Sequence, residues 1–70
     1  PAQPRAKTAK LMADGRERTL NDVALRIGVS RHQAEHALRF MHEKGLLARE
    51  AIRSERTFVY AYRKAEPVDG

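Results

Sequence analysis

The residues with the clearest chemical potential are His32 and His36, which flank Glu35 in the segment HQAEH. Two imidazoles four residues apart lie on one face of a helix, where both can bind the same zinc ion. A glutamate between them can then activate a bound water. The alternative is that the two imidazoles simply share a solvated helix face, as any pair at this spacing does.

The pattern H-x-x-E-H is that of the inverted zinc proteases, which add a distant carboxylate ligand and a substrate cleft. Downstream of His36 the chain offers Glu43, Glu50, Glu55 and Glu66, none of which is a persuasive third ligand. Seventy residues also leave little core for a cleft between two lobes. The sequence therefore predicts no enzyme, no metal and no cofactor, with a regulatory zinc on the histidines as the minor alternative.

Composition narrows the class of partner. The chain has no cysteine, which excludes thiol catalysis and disulfides. Fourteen basic against nine acidic side chains give a net charge of +5, and arginines outnumber lysines ten to four. Because the guanidinium fork fits phosphates and guanine edges, this excess favours a nucleic acid, although a basic solvated surface is the plain alternative.

Apolar patterning predicts a cytoplasmic protein with no membrane partner. No apolar run approaches the roughly 20 residues that cross a bilayer. The N-terminal PAQPRAKTAK lacks the apolar centre of a secretion signal. The chain begins without methionine, which fits either removal of an initiator or a piece of a larger parent protein.

Two short helices are predicted in the first half of the chain. The first covers about residues 5–14 and ends at Gly15, which can adopt left-handed backbone. The second covers about residues 20–27, because Thr19 begins a capping box and Gly28 stops the helix.

A third helix is predicted over about residues 31–44, between a capping box that starts at Ser30 and a stop at Gly45. At about 100° per residue its apolar and polar side chains separate onto opposite sides. The apolar stripe contains Ala34, Ala37, Leu38 and Met41, and the polar arc contains Arg31, His32, Glu35, His36, Arg39, His42 and Glu43. Phe40, at the edge of the stripe, is expected to pack inward.

After Gly45 the hydrophobic period changes to two, which predicts a β-hairpin over about residues 47–62. Its tip carries Arg53 and Arg56, and Phe58, Tyr60 and Tyr62 share one face. About residues 65–70 are predicted to be a flexible tail. The elements together predict a single domain of the α+β class, mainly α.

The segment DVALRIGVSRHQAEHALRFMHEKGLL, followed by a basic-tipped hairpin, resembles the winged helix-turn-helix DNA-binding domain of bacterial MarR-like and ArsR-like regulators and of related phage and plasmid proteins. Ala24, the turn at 28–30, Leu38 and Met41 stand where that family has packing residues. The resemblance covers about residues 5–63. It implies three helices and a C-terminal hairpin wing, with the third helix in the major groove and the wing on phosphates or in the minor groove.

Carried over by position, the resemblance implies DNA contacts from the third helix and its cap and from the wing. These residues are Ser30, Arg31, His32, Gln33, Glu35, His36 and Arg39 of the helix segment and Arg53 and Arg56 of the wing. Arg31 lies in the first turn, where the helix N-terminus also favours a phosphate. Glu35 departs from the family pattern, because phosphates repel a carboxylate unless it accepts a hydrogen bond from a cytosine amino group.

The expected partner is double-stranded DNA, bound by a transcription regulator such as a repressor or by a phage or plasmid DNA-transaction factor. The resemblance also implies that the protein acts in the bacterial cytoplasm or nucleoid. The alternative is a winged-helix module for protein contact in a larger nucleic-acid-processing assembly. Arginines on both the third helix and the hairpin tip favour DNA. A monomer, a weak homodimer and assembly on DNA all stay open, because no long dimerisation helix is present in the sequence.

Overall fold

The structure is a computed structural model that describes residues 3–66 as three helices and a three-stranded antiparallel sheet. The helices are α1 (Pro4–Met12), α2 (Leu20–Ile27) and α3 (Arg31–Glu43), and the strands are β1 (Arg18–Thr19), β2 (Leu47–Ser54) and β3 (Thr57–Lys64). This is the predicted α+β, mainly α class, and the order of elements is that of a winged helix. Within residues 3–66, no helix is long and apolar enough to cross a membrane.

Local capping chemistry fixes the ends of α2 and α3. The Thr19 hydroxyl accepts a hydrogen bond from the backbone N–H of Asp22, and Gly28 ends α2 in left-handed backbone with φ 72°. Ser30 and Gln33 close the predicted capping box at the start of α3. The backbone N–H of Val29 returns to the carbonyl of Ala24, so the turn between the two helices is short and tightly bonded.

Helix α1 spans Pro4–Met12, so it begins one residue earlier and ends two residues earlier than predicted. Gly15, with φ 77°, donates its N–H to the Met12 carbonyl and reverses the chain. The Asp14 carboxylate accepts hydrogen bonds from the Arg18 guanidinium and the Arg16 backbone N–H. Ala13 and Asp14, which the prediction placed in the helix, lie in the turn that leads to Gly15.

The hairpin is longer than predicted because β2 and β3 pair along their whole length. The register runs from Leu47 opposite Lys64 to Ser54 opposite Thr57, which leaves a two-residue tip. Within the predicted tail, the Ala65 N–H donates to the Leu46 carbonyl at 3.1 Å. The rest of that tail, residues 67–70, lies outside the described residues.

The core forms where α3 crosses the other two helices and the base of the sheet. All four residues of the predicted apolar stripe of α3 are buried. The buried core cluster consists of Met12, Val23, Ala24, Ala34, Leu38, Met41, Leu47 and Tyr62. The polar side of α3 is therefore turned to solvent by the burial of its apolar side.

The buried side chain of Arg18 links the sheet to the C-terminal end of α1 by hydrogen bonds. Arg18 in β1 is 7% exposed and makes two 2.8 Å hydrogen bonds to the Asp14 carboxylate, and it also donates to the Leu11 carbonyl. The hydrogen bond from Arg18, with a second from the Arg16 N–H, holds the pKa of Asp14 well below its ordinary 3.8. Because β1 pairs with β3, this contact fixes the base of the hairpin against the helices.

Candidate nucleic-acid interface

A concave surface with a volume of about 430 Å³ lies between α3 and the hairpin, and we call it the helix–hairpin cleft. The charged and exposed aromatic residues that line it are Arg31, Glu35 and Arg39 from α3 and Arg49, Phe58 and Tyr60 from the hairpin. The start of α2, at Leu20 and Asn21, closes one side. Three arginines and one glutamate give the charged lining residues a net charge of +2.

The helical repeat places the α3 residues of the cleft together. Arg31, Glu35 and Arg39 are spaced by four residues and so lie on one side of the helix. Glu35 and Arg39 form an ion pair with an N–O distance of 3.7 Å, and both side chains are exposed. Among residues 3–66, Arg31 has no carboxylate within ion-pair distance, so its charge is available to a ligand.

The remaining predicted contacts of α3 lie on its other flank. His32, Gln33 and His36 adjoin the start of α1 beside Pro4 and Arg5. The two imidazole rings meet edge to face with their centroids 4.6 Å apart. The polar arc of α3 is therefore divided, with the arginines beside the hairpin and the histidines beside α1.

Phe40 also packs toward α1, as its place at the edge of the apolar stripe predicts. It is partly buried against the core, and the Arg5 guanidinium lies 3.7 Å from the ring centroid. Lys44 stands over the same ring at 5.6 Å. These cation–π contacts cover the ring and leave it with a packing role.

Ser30 and Gln33 have structural partners that limit what they can offer DNA. The Ser30 hydroxyl accepts a hydrogen bond from the Gln33 backbone N–H at 3.1 Å. The side-chain Oε1 of Gln33 accepts a hydrogen bond from the Ser30 backbone N–H at 3.3 Å. Reading an adenine with both ends of a glutamine amide needs that oxygen free. With the capping box closed, Gln33 has only its NH₂ group to offer a base or phosphate.

The hairpin carries a second set of arginines stacked on aromatic rings. The Arg49 guanidinium lies 4.3 Å from the Tyr60 ring centroid, and that of Arg53 lies 5.9 Å from the Phe58 centroid. Phe58 is 63% exposed and Tyr60 is 48% exposed. Arg56 occupies the exposed two-residue tip next to Glu55, whose φ is 54°.

Sequence reasoning missed Arg49 as a site residue. Arg49 and Arg53 are four residues apart in one strand, so a period of two already places them on the same face. The sequence predicted the hairpin but not that this face turns toward α3.

No group of three or more His, Cys, Asp or Glu side chains in the described part of the chain, 3–66, is arranged to hold a metal ion. His32 and His36 are close to each other but have no third ligand among those residues. They lie beside Arg5 and Gln33 and are not among the residues that line the helix–hairpin cleft.

A scan against protein-family models matches none, and a search of curated proteins finds no significant relative. The function is therefore inferred from the fold and from the helix–hairpin cleft.

Proposed function

We propose that this protein is a member of the winged helix-turn-helix superfamily that binds double-stranded DNA without catalysing a reaction. Helix α3 would enter the major groove, and the hairpin would act as the wing on the adjacent phosphates or minor groove. The observation that carries the proposal is the convergence of Arg31 and Arg39 from α3 with Arg49 from the hairpin on one open cleft.

The dimensions of α3 support this docking. Thirteen residues make a helix about 20 Å long, and the major groove is about 12 Å wide, enough to admit one helix. Its apolar side is fully occupied by the core, so only the polar arc can face the groove. The cap at Ser30 leaves the N-terminal turn, with Arg31, projecting at the surface.

The cleft lies where one strand of such a duplex would cross from α3 to the wing. A sugar–phosphate backbone in this position would lie among Arg31, Arg39 and Arg49. Arg53 and Arg56 extend the same positive surface along the wing. Five arginines that each neutralise one phosphate predict a slope of log K against log salt of about −4 to −5.

Exposed apolar side chains favour the second candidate, a protein-contact module. Leu25 on α2 is 82% exposed and Phe58 on the hairpin is 63% exposed. They belong to different elements, and Phe58 adjoins Arg53. Protein interfaces usually deplete charge at their centre, whereas the cleft is rich in charge, so DNA is the better-supported partner.

A salt titration with a matched control tests the proposal. We expect duplex binding at low salt with the slope given above, and Arg39→Ala and Arg56→Ala should each reduce the slope by about one. Arg16→Ala, which removes an exposed arginine outside the cleft, should leave binding nearly unchanged. Absence of duplex binding at low salt would remove duplex DNA as the partner, and equal losses in all three variants would show that the duplex does not bind through the cleft and the wing.

Selection of bound duplexes from a random library would then distinguish a transcription regulator from a DNA-transaction factor. Enrichment of one sequence favours a transcription regulator acting in the bacterial cytoplasm. Enrichment of a DNA shape without a common sequence favours a phage or plasmid DNA-transaction factor.

A further inference from the structure

The walls of the helix–hairpin cleft contain two exposed aromatic rings that binding of continuous duplex does not explain. Phe58 and Tyr60 line the cleft and remain 63% and 48% exposed. They are two residues apart in β3, so their side chains leave the same face of the strand. Arg53 and Arg49 lie over these rings, yet Phe58 and Tyr60 both stay largely exposed, so aromatic surface is left that a ligand can cover.

Continuous duplex offers these rings nothing to stack on. The part of a duplex that crosses between a major-groove helix and a wing is the sugar–phosphate backbone, which has partners for arginine but no flat surface for an aromatic ring. The bases of a duplex are already stacked on one another. An unpaired base, in contrast, has a free face that can lie against Phe58 or Tyr60.

The arginines around the rings complete a site for a single strand. Arg49 and Arg53 lie over Tyr60 and Phe58, and Arg31 faces them across the cleft. A positive groove interleaved with aromatic rings holds single strands by stacking the bases and neutralising the phosphates.

We propose that the helix–hairpin cleft binds unpaired nucleotides, so that the protein prefers a duplex with a single-stranded extension over a continuous duplex. This inference rests on the proposed function, since α3 would hold the duplex while the strand that enters the cleft would continue there as the unpaired extension. A wedge that inserts into the minor groove is the other use of an exposed aromatic. The cleft-wall position of Tyr60, away from the tip at Glu55 and Arg56, favours stacking over insertion.

The test compares three labelled probes by fluorescence anisotropy: a blunt duplex, the same duplex with a short oligothymidine extension, and the oligothymidine alone. The wild-type protein should bind the extended duplex about tenfold more tightly than the blunt duplex for each base that stacks. The double variant Phe58→Leu with Tyr60→Leu keeps apolar side chains but removes the ring faces. It should bind the two duplexes equally, with the affinity of the wild type for the blunt duplex.

Leu25→Ala is the matched control, because it removes an exposed apolar side chain outside the cleft and should preserve the preference. Circular dichroism and thermal melting check that the variants fold. Iododeoxyuridine placed in the extension should crosslink to Tyr60 or Phe58 on irradiation, which identifies the stacked ring directly.

Equal wild-type affinity for the two duplexes would overturn the inference while leaving duplex binding intact. So would an equal loss of affinity for both duplexes in the double variant, because the rings would then act on continuous duplex. Binding of the oligothymidine with no binding of blunt duplex would instead overturn the proposed function and support the cleft as a single-strand site.

Discussion

Glu35 is the carboxylate that would most directly oppose the proposed DNA binding, and its replacement gives the sharpest test of the candidate interface. It lines the helix–hairpin cleft and lies 3.7 Å from the Arg39 guanidinium. In the proposed complex, Glu35 would repel phosphates and would also compete for Arg39. Glu35→Gln keeps the size of the side chain and one acceptor oxygen, removes the negative charge and replaces the second oxygen with an NH₂ donor.

The expected magnitudes follow from the exposure and geometry of the pair. Because both side chains are about half exposed, the pair contributes only about 0.3–0.5 kcal/mol to the free energy of unfolding. Freeing one cation for a phosphate makes the slope of log K against log salt steeper by about 0.9. That change corresponds to as much as about eightfold tighter duplex binding at about 0.1 M salt, and to almost no change at about 1 M.

Anisotropy titrations over a salt series measure the duplex affinity and the slope of log K against log salt. Glu17→Gln makes the same charge change in an exposed loop outside the cleft and is the control. In an Arg39→Ala background the effect of Glu35→Gln should shrink, because no pair remains to be released. Weaker binding of Glu35→Gln to a selected duplex, with unchanged binding to random duplex, would refute this reasoning and identify Glu35 as a reader of a cytosine amino group.

Three further predictions concern the stability of the fold. Thr8 is fully buried and its hydroxyl has no hydrogen-bond partner among the described residues, so Thr8→Val should raise the free energy of unfolding by about 1 kcal/mol in a urea titration. Thr8→Ser, which keeps the hydroxyl and loses the methyl group, should lower that free energy; a less stable valine variant would show that the hydroxyl is bonded. Glu55 has a φ of 54°, so Glu55→Gly should stabilise the protein by about 0.5–1 kcal/mol, whereas Glu55→Gln, the control, should not. The Arg18 hydrogen bond depresses the pKa of Asp14, so the pair stabilises the fold above the ordinary pKa of 3.8 and loses this contribution as the pH falls toward the lower folded pKa. The stability difference between wild type and Asp14→Asn should therefore shrink between about pH 5 and pH 2, and a constant difference would contradict the assignment.

The parts of the fold that depend on neighbouring residues were predictable from the sequence. The cap at Thr19 and the stop at Gly28 bound α2 at the predicted Leu20–Ile27, because capping is local hydrogen-bond chemistry. The apolar stripe of α3 follows from helical periodicity, and all of its residues are buried. The end of α1 was predicted two residues too late, because Gly15 marks where the chain reverses but not how many residues before it belong to the turn.

The polar residues that α3 presents were predictable from the sequence, but their arrangement and the contribution of Arg49 to the cleft were not. Periodicity put arginines and histidines on one polar arc of α3, but which flank each faces depends on what packs beside the helix. The hairpin lies beside Arg31 and Arg39, whereas α1 lies beside His32 and His36. The position of Arg49 in the cleft needs the hairpin to be placed against α3, which no local pattern supplies.

The short strand β1 has a mechanical consequence for the hairpin. It pairs with β3 only at Ala61 and Tyr62, so the outer half of the hairpin is a two-stranded ribbon supported at its base alone. Two-stranded ribbons bend more readily than wider sheets. Flexing at Ala61 would move Tyr60 and Phe58 toward or away from α3. Such a motion would change the width of the helix–hairpin cleft.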